Sequence, residues 1–468
     1  MLFSSMTFLF VFLPILLFVY FFAKKEIRNY VLLIASVIFY GFADLRYLAI
    51  MIATIAINYW GALCLDKCHS VRGRKAILGL AVVADLSFLF YFKYFNFMLK
   101  NINALLAADF TLIDIIMPIG ISFYTFQAMS YLIDVYRREV PAQHDIYKLA
   151  LYIVLFPQLV AGPIVKYHDV CGQIDERDEH FDKVVWGLKR FIIGLAKKVL
   201  IANTLAVVVD KIFAQPVDQI SWGASWIGSI SYCIQLYFDF SGYSDMAIGL
   251  GMMFGFKFME NFNYPYISKS ITEFWRRWHI SLATWFKQYL YFPLGGSRVS
   301  PLRTYFNLFF IFLVTGFWHG ADWTFIAWGV WNGVFIVFER FTGLDKDQRD
   351  KWFTGVGKHL YALWIILLGM IIFRSPTVGY GYEFILRLLH IHVVDHLPNY
   401  DYGLNNRFLI ALVVGLILSM PLFRNILFIP YEKKVLRTIV NIWLFVLFIL
   451  SAAALAGATY NPFIYFRF

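Results

Sequence analysis

The sequence predicts an all-α protein that crosses a membrane many times. Three observations lead there. Of 468 residues, 60% are hydrophobic and only 15% charged, too few charges to cover a soluble surface of that size. Apolar stretches of roughly 20 residues recur, the length that crosses a hydrocarbon core of about 30 Å. Aromatic residues make up 20% of the chain, including 29 Tyr and 14 Trp, whose apolar rings and polar tips suit the membrane–water interface.

The apolar segments fall near 2–22, 30–43, 47–64, 77–98, 117–135, 147–165, 187–213, 223–256, 303–318, 323–342, 359–373, 407–423 and 438–457. The first has no charge ahead of it and no small-residue cleavage pattern, so it reads as a retained helix and not a signal peptide. Several segments are short or broken, as at Met117-Pro118-Ile119-Gly120. Broken backbone at membrane depth is tolerated only where protein or a water-filled cavity covers it. Re-entrant helices and a cavity are therefore expected. No internal repeat is evident, which counts against an inverted-repeat transporter. No linker interrupts the chain, so residues 1–468 read as one membrane-embedded domain.

The net charge of +11 lies in short loops between apolar runs and points to a lipid bilayer, not to nucleic acid. Lys24, Lys25 and Arg28 form one basic cluster, Lys67, Arg72, Arg74 and Lys75 a second, and Arg137 with Arg138 a third. Placing these in the cytoplasm puts the N-terminus outside. Lys346, Arg349 and Lys351 then make one cytoplasmic loop, and Arg424, Lys433, Lys434 and Arg437 another. A final crossing at 438–457 sends the tail Tyr460–Phe468 outside. The four cysteines are scattered, and Cys64, Cys68 and His69 lack a second ligand pair, so no disulfide framework and no zinc site are expected.

Two histidines stand out. Ser270-Ile271-Thr272-Glu273 has the pattern of a capping box, and a helix should follow it. Trp275, Trp278, His279, Leu282, Trp285 and Phe286 then share one face at helical spacing, with Arg276, Arg277 and Lys287 largely off it. His279 either packs or caps in an interfacial helix or is aimed into a cavity. Further on, Gly316-Phe317-Trp318-His319-Gly320 ends an apolar run. The glycines permit a bend or close approach to another helix. A histidine in a membrane segment needs a partner or a task, and its proton moves near neutral pH. The alternative is a helix-end histidine facing water.

The run Asp239-Phe240-Ser241-Gly242-Tyr243-Ser244-Asp245 sets two carboxylates and several hydroxyls in an apolar stretch. Buried carboxylates need partners, and Arg276 or Arg277 would serve. A structural role and substrate contact are both open for Asp239, Ser241, Tyr243 and Asp245. His390, His392 and His396 share an expected external loop, where a metal site is the alternative to solvation; no metal ligands are assigned. His144, His168, His180 and His359 lie near charged loops and read as solvated.

At this point the motifs resemble a known family. Trp275-Arg276-Arg277-Trp278-His279-Ile280-Ser281, followed by Phe317-Trp318-His319-Gly320, is similar to the signature of membrane-bound O-acyltransferases. Pro118-Ile119-Gly120-Ile121-Ser122-Phe123-Tyr124-Thr125-Phe126, Ala161-Gly162-Pro163, the Asp239–Asp245 run and Glu260-Asn261-Phe262-Asn263 resemble its alginate O-acetyltransferase branch. The likeness spans nearly the whole chain. It implies a ring of tilted and re-entrant helices around a central tunnel, in a bacterial inner membrane. It implies an acyl thioester such as acetyl-CoA as donor substrate, with no bound cofactor. It makes His319 the catalytic histidine and His279 the second active-site position, with Trp275, Arg276, Arg277, Trp278 and Trp318 around them.

In that branch the acyl group passes to an extracytoplasmic SGNH-hydrolase-like acetyltransferase, and a polysaccharide synthase or export complex is a further expected partner. The tail Phe463-Ile464-Tyr465-Phe466-Arg467-Phe468 resembles a C-terminal motif on the small partner of the teichoic-acid D-alanylation transferase. There a tyrosine is thought to receive the acyl group, so Tyr465 is either an acyl relay or an aromatic interfacial anchor. The function implied is O-acetylation of an exported polysaccharide such as alginate. The competing class is a transporter or export scaffold without transfer chemistry, which shares broken helices and intramembrane polar groups.

Overall fold

A computed structural model describes residues 1–42, 45–160, 162–345, 352–391, 400–423 and 434–457. Over these residues the chain is α-helical, with short 3-10 and π turns and no strand. Five helices are long and apolar enough to cross a membrane: Arg46–Lys67, Val71–Leu106, Phe181–Phe213, Thr354–Arg374 and Lys434–Ala456. Even a helix of about 21 residues, at ~1.5 Å rise per residue, spans the hydrocarbon core. The all-α, multi-pass character expected from composition is therefore present.

Most of the apolar segments become helices, and the exceptions have local causes. Segment 117–135 becomes helical only at Ile121. Pro118 precedes it, and Gly120 adopts a left-handed φ of 76° that a side chain would strain. A Cβ on Gly120 would also lie 2.4 Å from the Leu159 carbonyl oxygen. Segment 147–165 is two helices, Ile146–Val154 and Phe156–Leu159. Pro157 cannot donate to the turn before it, and the Ser36 hydroxyl accepts the Phe156 N–H at 3.1 Å.

The chain divides into two compact units. The first comprises Met1–Phe191 with Ser244–Met259. Its core includes interlocked rings of Phe3, Phe8, Phe39 and Phe156. Buried polar groups here are held locally. Asn58 donates to both carboxylate oxygens of Asp85 at 3.1 and 3.0 Å. Arg74 donates to the carbonyls of Leu65, Val135 and Tyr136, closing the ends of two helices at once. Asp245 pairs with Arg190 at 2.9 Å.

The second unit comprises Ile192–Tyr243 with Glu260–Phe468. Small residues set its helix spacing. A Cβ on Gly242 would lie 2.7 Å from the Gly194 carbonyl oxygen, and one on Gly415 would lie 2.6 Å from Ile234. Both histidines of interest belong to this unit.

His168 departs from its expected solvated state. Its Nδ1 bonds the buried Asp134 carboxylate at 3.0 Å, and its Nε2 lies 3.0 Å from Asp169. The imidazolium thus joins helix Ile121–Arg137 to helix Tyr167–Asp175. Hydrogen bonds to Asp134 and then Asp169 raise the His168 pKa from 6.5 to about 9. A folded-state pKa above the unfolded one stabilises at low pH and is lost as pH rises through the folded value. The expected outcome is a contribution fully present below pH 6.5 and gone above about pH 9. Thermal unfolding of wild type and His168→Gln in detergent at pH 6 to 10 checks it (about four pH points bracket the window). The gap between the two proteins should close across that window.

Candidate active site

The N-cap half of the capping box forms, the Ser270 hydroxyl accepting the Glu273 N–H at 2.9 Å, while the Glu273 carboxylate accepts the N–H of Lys269, one residue before the cap, at 2.9 Å. The helix it starts is shorter than the spacing suggests. It runs Ile271–Arg277 and stops. Trp278 is extended, His279 is left-handed with φ 46° and ψ 53°, and a second helix runs Ile280–Phe286. The single helix expected through 286 is thus two helices with a break at Trp278-His279. The burial pattern survives, since Trp275, Trp278, His279, Leu282, Trp285 and Phe286 are all buried.

The break holds because another segment supplies the missing partners. The Asn261 carbonyl accepts the Ile280 N–H at 3.0 Å, and the Asn263 N–H donates to the Arg277 carbonyl at 2.9 Å. The Asn261 side-chain oxygen accepts the Ser281 N–H at 3.2 Å and the Ser281 hydroxyl at 2.9 Å. It also lies 3.2 Å from His279 Nδ1. A left-handed conformation at a residue with a Cβ costs about 1–2 kcal/mol, and these bonds offset it.

Asn261 also sets the tautomer of His279. The Ser281 backbone N–H can only donate, so the Asn261 atom it meets is an acceptor. His279 Nδ1 must then carry the proton, and in the neutral ring Nε2 can only accept. That arrangement leaves His279 Nε2 as an acceptor.

His319 is the last residue of helix Pro301–His319, and helix Trp323–Thr342 returns directly beside it. The two helices meet through glycines. A Cβ on Gly316 would lie 2.3 Å from the Phe325 carbonyl oxygen, and one on Gly329 would lie 2.5 Å from that of Phe312. The close approach allowed by Gly316 is therefore used. Gly320 is extended, and a Cβ there would collide with the Phe325 ring at 2.1 Å. His319 is 5% exposed and His279 0%, which overturns the water-facing alternative for His319.

Rings join the two imidazoles. Trp318 lies 5.0 Å from the His319 ring and 6.1 Å from the His279 ring, between centroids. Trp328 and Phe373 stand edge-on to His319 at 5.0 and 5.4 Å. Phe240 stands edge-on to His279 at 4.6 Å. Trp275 stands edge-on to Trp328 at 5.5 Å and donates through Nε1 to Asn332 at 3.0 Å. Two imidazoles in such a water-poor enclosure can move a proton between a hydroxyl and a leaving group without competition from solvent.

The Asp239–Asp245 run is neutralised by other residues than those expected. Asp239 pairs with Lys198 at 2.6 Å, with side-chain exposures of 3% and 1%, and Lys198 also donates to Asn203 at 2.8 Å. Asp245 takes Arg190. Arg276 is exposed, while Arg277 bonds Glu273 at 2.8 Å and the Asn263 carbonyl at 3.1 Å. Arg276 and Arg277 are therefore not the carboxylate partners, because each points away from the buried aromatic face. Ser241 and Tyr243 are buried. Lys198 had one signal in the sequence, a lysine inside a long apolar run. Asn261 and Asn332 had none that composition or spacing could supply. Tyr465, His392 and His396 lie outside the described residues.

The chain is similar to known proteins. The family described as MBOAT, membrane-bound O-acyltransferase, matches residues 88–373. The chain is 46% identical to the probable alginate O-acetylase AlgI of Pseudomonas aeruginosa, over 81% of this chain and 73% of that protein. It is 40% identical to the probable alginate O-acetylase AlgI of Pseudomonas putida over 100% of both. A peptidoglycan O-acetyltransferase of Helicobacter pylori is 38% identical over 73% of this chain and 70% of that protein.

Asn261→Ala removes one acceptor from three donors in a buried setting. An unsatisfied buried donor costs about 1–3 kcal/mol, so a lower thermal midpoint is expected for Asn261→Ala. Asn261→Asp keeps the acceptor but buries a carboxylate, so it should lower the midpoint as well. Gly316→Ala should push the two glycine-packed helices apart, with a destabilisation of about 1–3 kcal/mol from overpacking. Thermal unfolding of the purified variants reads both.

Proposed function

The chain belongs to the membrane-bound O-acyltransferase family and is a membrane-embedded O-acyltransferase, and from that premise we propose that it moves an acetyl group from a cytoplasmic thioester donor across the membrane for O-acetylation of an exported polysaccharide. The observation that carries the reading is the pair of buried imidazoles on the shared Trp318 ring, with Asn261 leaving His279 Nε2 as an acceptor.

The donor is an acyl thioester such as acetyl-CoA. His319 is the general base that takes the proton from an acceptor hydroxyl as its oxygen attacks the thioester carbonyl. The carbon–oxygen bond forms, the carbon–sulfur bond breaks, and the proton passes to the leaving thiolate, giving the thiol. His279, accepting at Nε2, orients the acceptor hydroxyl or shares its proton. A neutral Nε2 does not donate, so polarisation of the thioester carbonyl falls to other groups. Trp275, Trp278 and Trp318 wall the reacting atoms from water.

The first acceptor is Tyr465, whose phenol becomes a transient ester and splits one transfer into two. An extracytoplasmic SGNH-hydrolase-like acetyltransferase then carries the group to the glycan, beside the polysaccharide synthase or export complex. The alginate O-acetylase relatives favour an alginate-type polymer in a bacterial inner membrane. The peptidoglycan relative makes peptidoglycan the next polymer to test.

His319→Ala is expected to abolish donor thioester cleavage and glycan acetylation while the protein stays folded and inserted. His279→Ala should be nearly as severe, since members of a coupled site are strongly non-additive. Thiol release from labelled acetyl-CoA by purified protein in liposomes, with its extracytoplasmic acetyltransferase and glycan present to take the acyl group, is the measurement. Wild-type rates in His319→Ala, or substrate transport with no thioester cleavage by wild type, would end the proposal. Labelled acetate on the C-terminal peptide, lost in Tyr465→Phe together with glycan acetylation, checks the relay.

A further inference from the structure

We propose that Glu339 is a positioning residue that holds the His279 and His319 elements in register. The inference rests on the reading of those histidines as the reacting pair.

Glu339 lies on helix Trp323–Thr342, far along the chain from either histidine, and is 0% exposed. Both its carboxylate oxygens are spent on the start of the helix that leads to His279. One accepts the Ile271 N–H at 2.5 Å. The other accepts the Thr272 N–H at 2.8 Å and the Thr272 hydroxyl at 2.7 Å. Helix Ile271–Arg277 has seven residues, too short to hold itself in place. Its own cap, Ser270, serves only the Glu273 N–H. Its first two N–H groups therefore depend on a carboxylate from a different helix.

Glu339 is the first rung of a ladder between those two helices. One turn further along, Trp275 Nε1 donates to Asn332 at 3.0 Å. Asn332 is itself held by the Trp328 carbonyl at 2.9 Å. The Trp275 ring then meets Trp328 at 5.5 Å, and Trp328 meets His319 at 5.0 Å. The far end of the short helix runs straight into Trp278 and His279. On the neighbouring side, His359 Nδ1 lies 3.0 Å from the Ser268 carbonyl oxygen and steadies the approach to the cap. The ladder thus begins at a buried carboxylate and ends on both imidazoles.

A carboxylate is needed because it accepts from all three donors and donates nothing. A glutamine would turn an amide NH2 toward one of them. An aspartate would fall short of both N–H groups. A register error of about 1 Å at reacting groups can lower a rate roughly 100-fold.

The test measures thiol release from acetyl-CoA, with the extracytoplasmic acetyltransferase and glycan present to take the acyl group, by wild type, Glu339→Gln, His319→Ala and His279→Ala in liposomes. Cleavage by wild type and its loss in His319→Ala establish the acyl-transfer reading without reference to Glu339. Given that, the clamp predicts that Glu339→Gln lowers kcat roughly 100-fold with KM for the donor unchanged. Wild-type kcat in Glu339→Gln overturns the clamp and leaves the acyl-transfer reading intact. Should Glu339→Gln fail to insert, Thr272→Val and Trp275→Phe each delete one rung. A several-fold lower kcat at constant KM in either supports the clamp, and wild-type kcat in both overturns it.

Discussion

A helix broken among buried aromatic rings must find partners for its backbone within the protein, because no water is there to supply them. At Trp278-His279 that demand is met by Asn261, whose carbonyl and side-chain oxygen together serve Ile280, Ser281 and His279. Much of the site follows from this one residue. The break turns His279 out of helical register. The shared acceptor fixes its proton on Nδ1. The ring is oriented by a neutral amide, which holds it without adding charge beside it.

His319 is placed by a different device. Glycines at 316 and 329 remove the side chains that would separate two antiparallel helices. Their backbones come close enough for Trp328 to stand against the His319 ring. One histidine is therefore placed by hydrogen bonding and the other by shape. Trp318 touches both. An enclosure of indole and phenyl rings contributes little polarity of its own, so the polar groups it does contain act with little screening.

The buried charges serve another purpose. Lys198 with Asp239, and Arg190 with Asp245, are charge pairs closed within their own units. Removing Lys198 or Asp239 leaves a buried charge unmatched and is strongly destabilising, whereas the intact pair adds little net stability. The structure gives Asp239 and Asp245 a structural role through these partners. Ser241 and Tyr243 lie buried between them in the sequence.

Spacing and composition determined a good deal. The apolar runs marked the helices, Ser270 and Glu273 marked a helix start, and the glycines around His319 marked a close approach. The six positions from Trp275 to Phe286 were legible as a buried face. The break within them was not, because an intact helix and two helices with one left-handed residue between them bury the same side chains. The partners were hidden for a related reason. Asn261 meets His279 across 18 residues and Lys198 meets Asp239 across 41, separations that no local period encodes. The sequence by itself thus determined which residues are buried, since burial follows from apolar periodicity, and its motifs singled out His279 and His319 by resemblance. Only the tertiary structure decided which nitrogen of His279 holds the proton and what holds the two rings together, since both depend on contacts between residues distant in the chain.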